Sequence, residues 1–144
     1  MELMFRRLDP DAELPAAQRP GDAGLDLRSV VDVDVEPGAR VPVPTGVAVA
    51  IPEGHAGLVL PRSGLASKQG LTLANSPGLI DAGYRGEIIC AVVNLDPQHA
   101  VRISRGDRIA QLVVVGLPSI EPAWVGELPS SARGDGGFGS TGSS

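Results

Sequence analysis

Glycine and proline occur so often in this sequence that long helices have almost no room. The 144 residues include 19 glycines and 13 prolines, and the longest interval free of both runs only from Leu25 to Glu36. An average helix of about 11 to 12 residues scarcely fits anywhere else. Inside that interval valine and aspartate alternate over residues 31–35, which is the period of a half-buried strand. The interval with most room for a helix therefore predicts β-structure.

Short β-rich runs of the same kind recur along the rest of the chain. Proline, glycine and aspartate turns separate these runs, which are Val41/Val43, Val47/Val49/Ile51, Leu58–Leu60, Glu87–Leu95, Val101/Ile103 and Arg108–Val115. Many short strands at this spacing predict an all-β sandwich, jelly roll or small barrel. One short helix is predicted over Ser63–Gly70, because the terminal glycine suits a helix stop.

Composition narrows the class of protein. The length predicts one domain, and with Cys90 as the only cysteine and two distant histidines, neither a disulfide framework nor a Cys/His zinc site can be assembled within one chain. We expect Cys90 to be a small buried hydrophobe and the compartment to be cytoplasmic. No apolar run is long enough for a signal peptide or a membrane span. The net charge of −5, without a basic patch, also disfavours a nucleic-acid partner.

One carboxylate, Asp81, lies in an unusually turn-rich stretch, Asn75–Glu87. A proline and three glycines punctuate the stretch, which also holds an apolar pair and the only tyrosine, Tyr84. We predict a loop or tight hairpin whose backbone groups are free to face a ligand. Asp81 is then a candidate general base. The residues alone leave two interpretations open, a catalytic turn and an ordinary β-hairpin.

A polar segment, Pro61–Lys68, follows an apolar strand. A strand that turns into a short helix exposes backbone amides that attract anions, and Arg62 and Ser63 would strengthen such a site. A helix N-cap beside a solvated or ion-paired arginine explains the same residues equally well. Asp26 and Gln111 are predicted at a strand start and within a strand, where outward solvation explains each of them.

The glycines near the carboxy terminus match a familiar pattern misleadingly. Gly134, Gly136 and Gly139 fit G-x-G-x-x-G, but only five residues follow Gly139, so the helix of a dinucleotide-binding unit has no place. A P-loop is excluded as well, because Ser140 stands where the phosphate-binding lysine is required.

Residues 128–144 have almost nothing to bury, and we predict a flexible arm attached to a β-domain of residues 1–127. Two interpretations of this arm stay open. One is a disordered solubilising tail. The other is a lid in which the glycine-rich backbone wraps phosphates, Arg133 pairs with them and Phe138 stacks on a base.

Taken in order, five segments resemble the motifs of the trimeric dUTPases. They are Ala23–Leu27, Pro61–Ala66, Asn75–Glu87, Arg105–Leu112 and Arg133–Thr141, and they span nearly the whole chain. The resemblance implies a distorted jelly-roll, β-clip-like domain and a homotrimer with shared active sites, over which the arms close. It also implies hydrolysis of dUTP to dUMP and pyrophosphate, which limits uracil incorporation into DNA and supplies dUMP for dTMP synthesis.

The resemblance assigns roles to individual residues. Asp81 would deprotonate a water that attacks the α-phosphorus, and Mg²⁺ on the triphosphate would reach Asp26 through bound water. Gln111 would contact the α-phosphate region or that water, Arg133 the terminal phosphates, and Phe138 the uracil ring. The substrate would be bound by Arg62, Ser63, Gly64, Asn75, Gly78, Leu79, Ile80, Tyr84, Ile89, Gln111, Arg133, Phe138, Gly139 and Ser140.

Within this set, the Asn75–Tyr84 segment is expected to choose the nucleoside. Backbone groups near Leu79 and Ile80, with Asn75, would match the edge of uracil and leave cytosine with unpaired groups. Lack of room for a 5-methyl group would exclude thymine, and Tyr84 beneath the sugar would reject a ribose hydroxyl. The family commonly has threonine in place of Leu79, so any role of Leu79 runs through its backbone or its bulk.

Two alternative functions accompany this prediction. A dCTP deaminase of the same fold needs a glutamate acting on the cytosine ring, whereas this chain has Asp81 before Ala-Gly-Tyr. A non-catalytic nucleotide-sensing module would have no need of the base.

Overall fold

A computed structural model of the chain describes residues 1–139, and strands dominate it. Within that range ten strands and one helix follow one another as β1 (Met4–Arg7), β2 (Leu25–Arg28), β3 (Val33–Val35), β4 (Arg40–Ala50), β5 (His55–Leu60), α1 (Ser63–Gln69), β6 (Leu71–Leu73), β7 (Gly78–Ile80), β8 (Glu87–Asn94), β9 (Val101–Ile103) and β10 (Arg108–Gly116).

The strands form three antiparallel sheets around one core. One four-stranded sheet has the order β1-β4-β8-β6, a second has the order β2-β10-β5-β7, and β3 pairs with β9. Each sheet supplies fully buried side chains, namely Val43 and Val92, Leu27 and Leu112, and Val35 and Ile103 respectively. The alternation of buried and exposed positions along the strands is what a sheet with one apolar face requires. The predicted all-β fold is confirmed.

Most of the predicted strands are present with nearly the expected bounds. The two runs between Val41 and Ile51 belong to the single strand β4, whose register against β8 shifts between Pro44 and Ala48. Such an irregularity bends a strand without ending it. Three short strands, β1, β6 and β7, were not predicted.

The predicted short helix is present as α1 and ends as expected. Gly70 follows it with a left-handed φ of +73° and donates its N–H to the carbonyl of Ala66, the usual way for a glycine to stop a helix. Arg62 occupies the N-cap position and makes no side-chain cap hydrogen bond. The interpretation of this segment as a side-chain N-cap is therefore wrong. No helix within residues 1–139 is long and apolar enough to cross a membrane.

The turn-rich stretch Asn75–Glu87 is a loop between sheets. Its strand β7 pairs with β5, whereas the following strand β8 pairs with β4 and β6. The connection over residues 81–86, which we call the crossover loop, therefore passes from one sheet to the other. The loop prediction holds, and the tight two-stranded hairpin is not formed.

The chain beyond β10 has neither strand nor helix up to residue 139. Large apolar side chains of this segment are exposed, and they are Leu117, Ile120, Trp124, Val125, Leu128 and Phe138.

Candidate functional site

Apart from Asp81, the predicted site residues that belong to the β-domain line two separate cavities. The first, which we call the polar cavity, has a volume of about 290 Å³ and is lined by Gln18, Asp22, Ala23, Gly24, Asp26, Arg62, Ser63, Gly64 and Gln111. The second, the apolar cavity, has a volume of about 190 Å³ and is lined by Val59, Leu73, Asn75, Gly78, Leu79, Ile80, Tyr84, Glu87, Ile88, Ile89 and Cys90. The two linings share no residue.

The polar cavity is built on the second sheet. Gln111 of the central strand β10 lies directly opposite Asp26 of β2 on one side and Leu60 of β5 on the other. Because β5 ends at Leu60, the following residues, Arg62 to Gly64, turn across the end of the sheet beside Gln111. The Nε2 group of Gln111 donates a 3.1 Å hydrogen bond to the carbonyl of Pro61, which joins the two segments.

Asp26 and Arg62 are held by one neighbouring residue, Arg108. The guanidinium of Arg108 lies 3.7 Å from the Asp26 carboxylate. The main-chain carbonyl of Arg108 accepts a 3.3 Å hydrogen bond from the Arg62 guanidinium. The side chain of Asp26 is only 16% exposed, so the outward solvation expected for Asp26 is wrong. Gln111 is partly buried as well, and its amide is hydrogen-bonded to protein.

The donor set of the polar cavity fits a magnesium ion that is held mainly by a ligand. Asp22 and Asp26 both line the cavity, while residues 1–139 contain no cluster of three or more His, Cys, Asp or Glu that could enclose a metal. Mg²⁺ prefers oxygen ligands and keeps several waters, and it is commonly bound through one or two carboxylates together with substrate phosphates.

The apolar cavity lies where the edge of the second sheet meets β8. Its walls are buried aliphatic side chains, whereas Leu79, Tyr84 and Ile89 at its rim are 66%, 46% and 54% exposed. Asn75 is exposed and lines this cavity with Gly78, and a Cβ on Gly78 would lie 3.1 Å from Nδ2 of Asn75, so the two residues are closely packed.

The crossover loop carries the predicted base. Asp81 follows the last residue of β7 and is exposed, and its carbonyl accepts a 3.1 Å hydrogen bond from the N–H of Tyr84. This turn brings Tyr84 back to the cavity rim, where its phenol donates to the carbonyl of Glu87 at 2.8 Å. Asp81 therefore lies between Ile80 and Tyr84, which both line the apolar cavity, but it is exposed and is not itself part of that lining.

The arm residues are in neither cavity of their own chain. Arg133, Phe138 and Gly139 are all exposed, and the Arg133 guanidinium donates to the carbonyl of Gly136 within the same turn. Ser140 lies outside the described residues. The described predicted site residues of one chain thus lie in the polar cavity, in the apolar cavity, on the crossover loop and on the arm.

Several lining residues were not predicted as site residues. Gly24 was identified only as part of the Ala23–Leu27 motif. Its position two residues before Asp26 was the feature that could have marked it as a lining residue. Glu87 and Cys90 of β8 gave no such signal, because an alternating strand buries every second residue whatever its role. Cys90 is buried as expected, and burial raises the pKa of its thiol to about 12.

Known proteins of one family are similar to this chain over nearly its whole length. The family model described as dUTPase matches residues 10–142. A deoxyuridine 5'-triphosphate nucleotidohydrolase of Streptomyces coelicolor is 58% identical over 142 residues, which are 99% of this chain and 78% of that protein. The dUTPase of Staphylococcus bacteriophage 80alpha, solved with dUpNHpp, is 36% identical with a TM-score of 0.89, and 98% of each chain is covered.

A dUTPase from phage phi11 of S. aureus gives a further structural match. It is 32% identical with a TM-score of 0.81, covers 88% of this chain and 98% of its own, and its structure reveals the coordination of a structural Mg(II) ion. A family model that matches nearly the full length, and a relative at 58% identity, establish the relationship. The chain belongs to the dUTPase family.

Proposed function

We propose that this chain is a dUTP diphosphatase, which hydrolyses dUTP to dUMP and pyrophosphate. The observation that carries the proposal is the grouping of Asp26, Arg62, Ser63, Gly64 and Gln111 around one polar cavity, because these are the residues that the family motifs assign to the triphosphate and its metal. The relatives, at 55–58% identity over almost the whole chain, do not favour the deaminase alternative.

The chemical step assigned to Asp81 is activation of water. The carboxylate accepts a proton from the water while the oxygen of that water forms a bond to the α-phosphorus. The bond from the α-phosphorus to the α,β-bridging oxygen breaks and releases pyrophosphate. The position of Asp81 directly after Ile80, which lines the cavity assigned to the nucleoside, and its exposure support this role, since a general base must be accessible to the water that it deprotonates.

The triphosphate would be held by the polar cavity and by the arm. Arg62, Ser63 and Gly64 would bind phosphate oxygens, Gln111 would contact the α-phosphate region, and Arg133 would act on the terminal phosphates. Asp26 would hold Mg²⁺ through water, and the ion, when bound, neutralises charge on the triphosphate.

The apolar cavity would choose the nucleoside. Main-chain groups at Leu79 and Ile80, together with Asn75 and Gly78, would pair with the edge of uracil, and Ile89 would border the nucleotide. A base with donor and acceptor exchanged would leave buried groups unpaired, which costs more than a matched pair gains. Tyr84 would pack beneath the deoxyribose.

The separation of these parts supports a homotrimer with shared sites. Among the described residues, the polar and apolar cavities have no lining residue in common, and Phe138, assigned to stack on uracil with Gly139 and Ser140 beside it, is 113% exposed. Other copies of the chain would bring the cavities and the arm around one nucleotide. The lone cysteine, Cys90, is unpaired and buried, which supports a cytoplasmic site of action.

Turnover of defined nucleotides tests the proposal. Purified protein with Mg²⁺ is offered dUTP, dCTP, dTTP and UTP in parallel, and pyrophosphate and ammonia are both measured. We expect pyrophosphate and dUMP from dUTP alone. Ammonia from dCTP would establish the deaminase, and tight dUTP binding without turnover would establish the sensing module. A molar mass in solution of three chains is expected, and a monomer active at the same concentration would refute the shared site.

A further inference from the structure

We infer that Gly24 is a positioning residue for Gln111, and that it is a glycine because the Gln111 side chain occupies the space of a β-carbon. This inference deepens the proposed function and rests on it. It concerns a residue at the edge of the polar cavity for which the dUTP mechanism above has no role.

The evidence is steric. A Cβ built on Gly24 would overlap Oε1 of Gln111 and lie 3.0 Å from its Cδ and 3.1 Å from its Cβ. Real Cβ atoms essentially never approach other heavy atoms closer than 3.0 Å. The side chain of Gln111 therefore lies against the main chain of Gly24 over most of its length.

The backbone conformation of Gly24 gives no other reason for a glycine. Its φ is not among the positive values found at eight other glycines of the described chain, so an L-residue would fit the local backbone without strain. Space, rather than torsion, excludes a side chain at this position.

The contact fixes the orientation of the Gln111 amide. Its Nε2 group donates to the carbonyl of Pro61, immediately before the phosphate-binding residues Arg62 to Gly64, while Oε1 faces Gly24. The amide is thus held between two segments of main chain, and each of its polar atoms has one defined direction. A fixed amide loses little conformational freedom when a ligand binds, which is how supporting residues contribute to affinity and rate.

An added methyl group at residue 24 would displace the Gln111 amide rather than disrupt the fold. The atom it would overlap is the far end of a flexible side chain, and Gln111 is partly exposed and can rotate away. The expected consequence of Gly24→Ala is a folded protein in which the Gln111 amide has left Pro61.

A double-mutant cycle tests this inference through binding as well as turnover. Wild type, G24A, Q111A and G24A/Q111A are titrated calorimetrically with dUTP carrying an α,β-imido bridge and Mg²⁺, and kcat and KM for dUTP are measured in parallel. We expect G24A to weaken binding or lower kcat/KM about tenfold in the wild-type background, since it misplaces one hydrogen-bonding group, and less than about twofold when Gln111 is already alanine.

Gly116→Ala is the matched control. Gly116 lies on the same strand as Gln111, has nothing within 4 Å of a built Cβ and has no positive φ. We expect G116A to bind and turn over dUTP as the wild type does.

The outcomes separate this inference from the function on which it rests. An equal loss from G24A in both backgrounds, or no loss in the wild-type background, overturns the inference while the function stands. Wild-type behaviour of Q111A removes the proposed role of Gln111 and the inference with it, and failure of the wild-type protein to bind the analogue refutes the function itself. If G24A alone does not fold, folding of G24A/Q111A supports the steric contact and its failure overturns it.

Discussion

The phenol of Tyr84 donates a 2.8 Å hydrogen bond to the main-chain carbonyl of Glu87, whose carboxylate accepts a 3.0 Å bond from the N–H of Gly46 on β4. Two hydrogen bonds thus connect the crossover loop to the shifted register of β4. Gly86 lies inside this turn, and a Cβ there would be 2.5 Å from the phenol oxygen and 2.7 Å from Cζ of Tyr84. A side chain at position 86 would therefore displace the ring of Tyr84 from the position that it has here.

We expect Gly86→Ala to weaken the rejection of UTP, because an added methyl group would displace the ring of Tyr84, which we propose packs beneath the sugar. The ratio of kcat/KM for dUTP to that for UTP should fall about tenfold, the size of a discrimination that one well-placed group supplies. Steady-state kinetics with both nucleotides measure it.

Tyr84→Phe is the control for this prediction, since it keeps the ring and removes only the hydroxyl. Its cost should be about 1 kcal/mol in the free energy of unfolding, with discrimination changed less than about threefold. Unchanged discrimination in G86A would show that the ring is not the group that senses the sugar.

Replacing Asp81 by asparagine tests the base. The variant keeps the size of the side chain but cannot accept the proton, so turnover should fall on the order of 10³-fold. Because Asp81 is exposed, the thermal unfolding midpoint should stay that of the wild type. Binding of the imido analogue should change little, and a parallel loss of binding and turnover would assign Asp81 to substrate binding instead.

Leu79→Thr tests whether the main chain or the side chain of this residue recognises the nucleotide. Leu79 is 66% exposed at the rim of the apolar cavity, and Leu95, equally exposed at 66%, lies outside it. If recognition runs through the main chain, L79T and the control L95T should both keep kcat/KM for dUTP within about threefold of wild type. A loss above tenfold confined to L79T would show that the bulk of leucine matters.

The sequence predicted which residues lie together within one motif better than it predicted how the motifs meet in the fold. The residues of each motif are close in the chain, so Arg62 to Gly64 could be grouped from their spacing. The facing of Asp26 and Gln111 depends on the register between β2 and β10, which local periodicity does not determine. Strand β7 was missed because its pairing partner β5 is distant in sequence and turn residues surround it.

Deleting Arg133–Ser144 tests the arm. The described part of this segment is exposed apart from Gly136 and Gly137, so the truncated protein should unfold at the wild-type temperature. Turnover should fall on the order of 10³-fold if the arm supplies Arg133 to the terminal phosphates as proposed. Full activity of the truncated protein would leave the arm as a solubilising tail.

Mixing two inactive variants tests whether the arm acts on a neighbouring chain. D81N keeps its arm, and the truncated chain keeps Asp81, so a mixed form of the proposed trimer would contain sites that combine an intact base with an intact arm. Refolding the two together should restore a measurable fraction of wild-type turnover. If the mixture stays as inactive as its components, each arm serves the Asp81 of its own chain.

The Cys90 thiol gives the chain a defined loss of stability in alkali. Burial raises its pKa to about 12 in the folded protein from an ordinary value near 9, so the neutral thiol is favoured by folding. This contribution is complete below pH 9 and is lost as the pH rises towards 12, because the unfolded chain releases the proton first. The contribution of the thiol to the free energy of unfolding should fall with a slope that approaches about 1.4 kcal/mol per pH unit in that range.

Urea unfolding of wild type and C90A between pH 8 and pH 11 isolates the effect, since all other titrating groups cancel in the difference. The stability difference between wild type and C90A should shrink as the pH rises above 9, and parallel pH profiles would show that the thiol is not desolvated by folding.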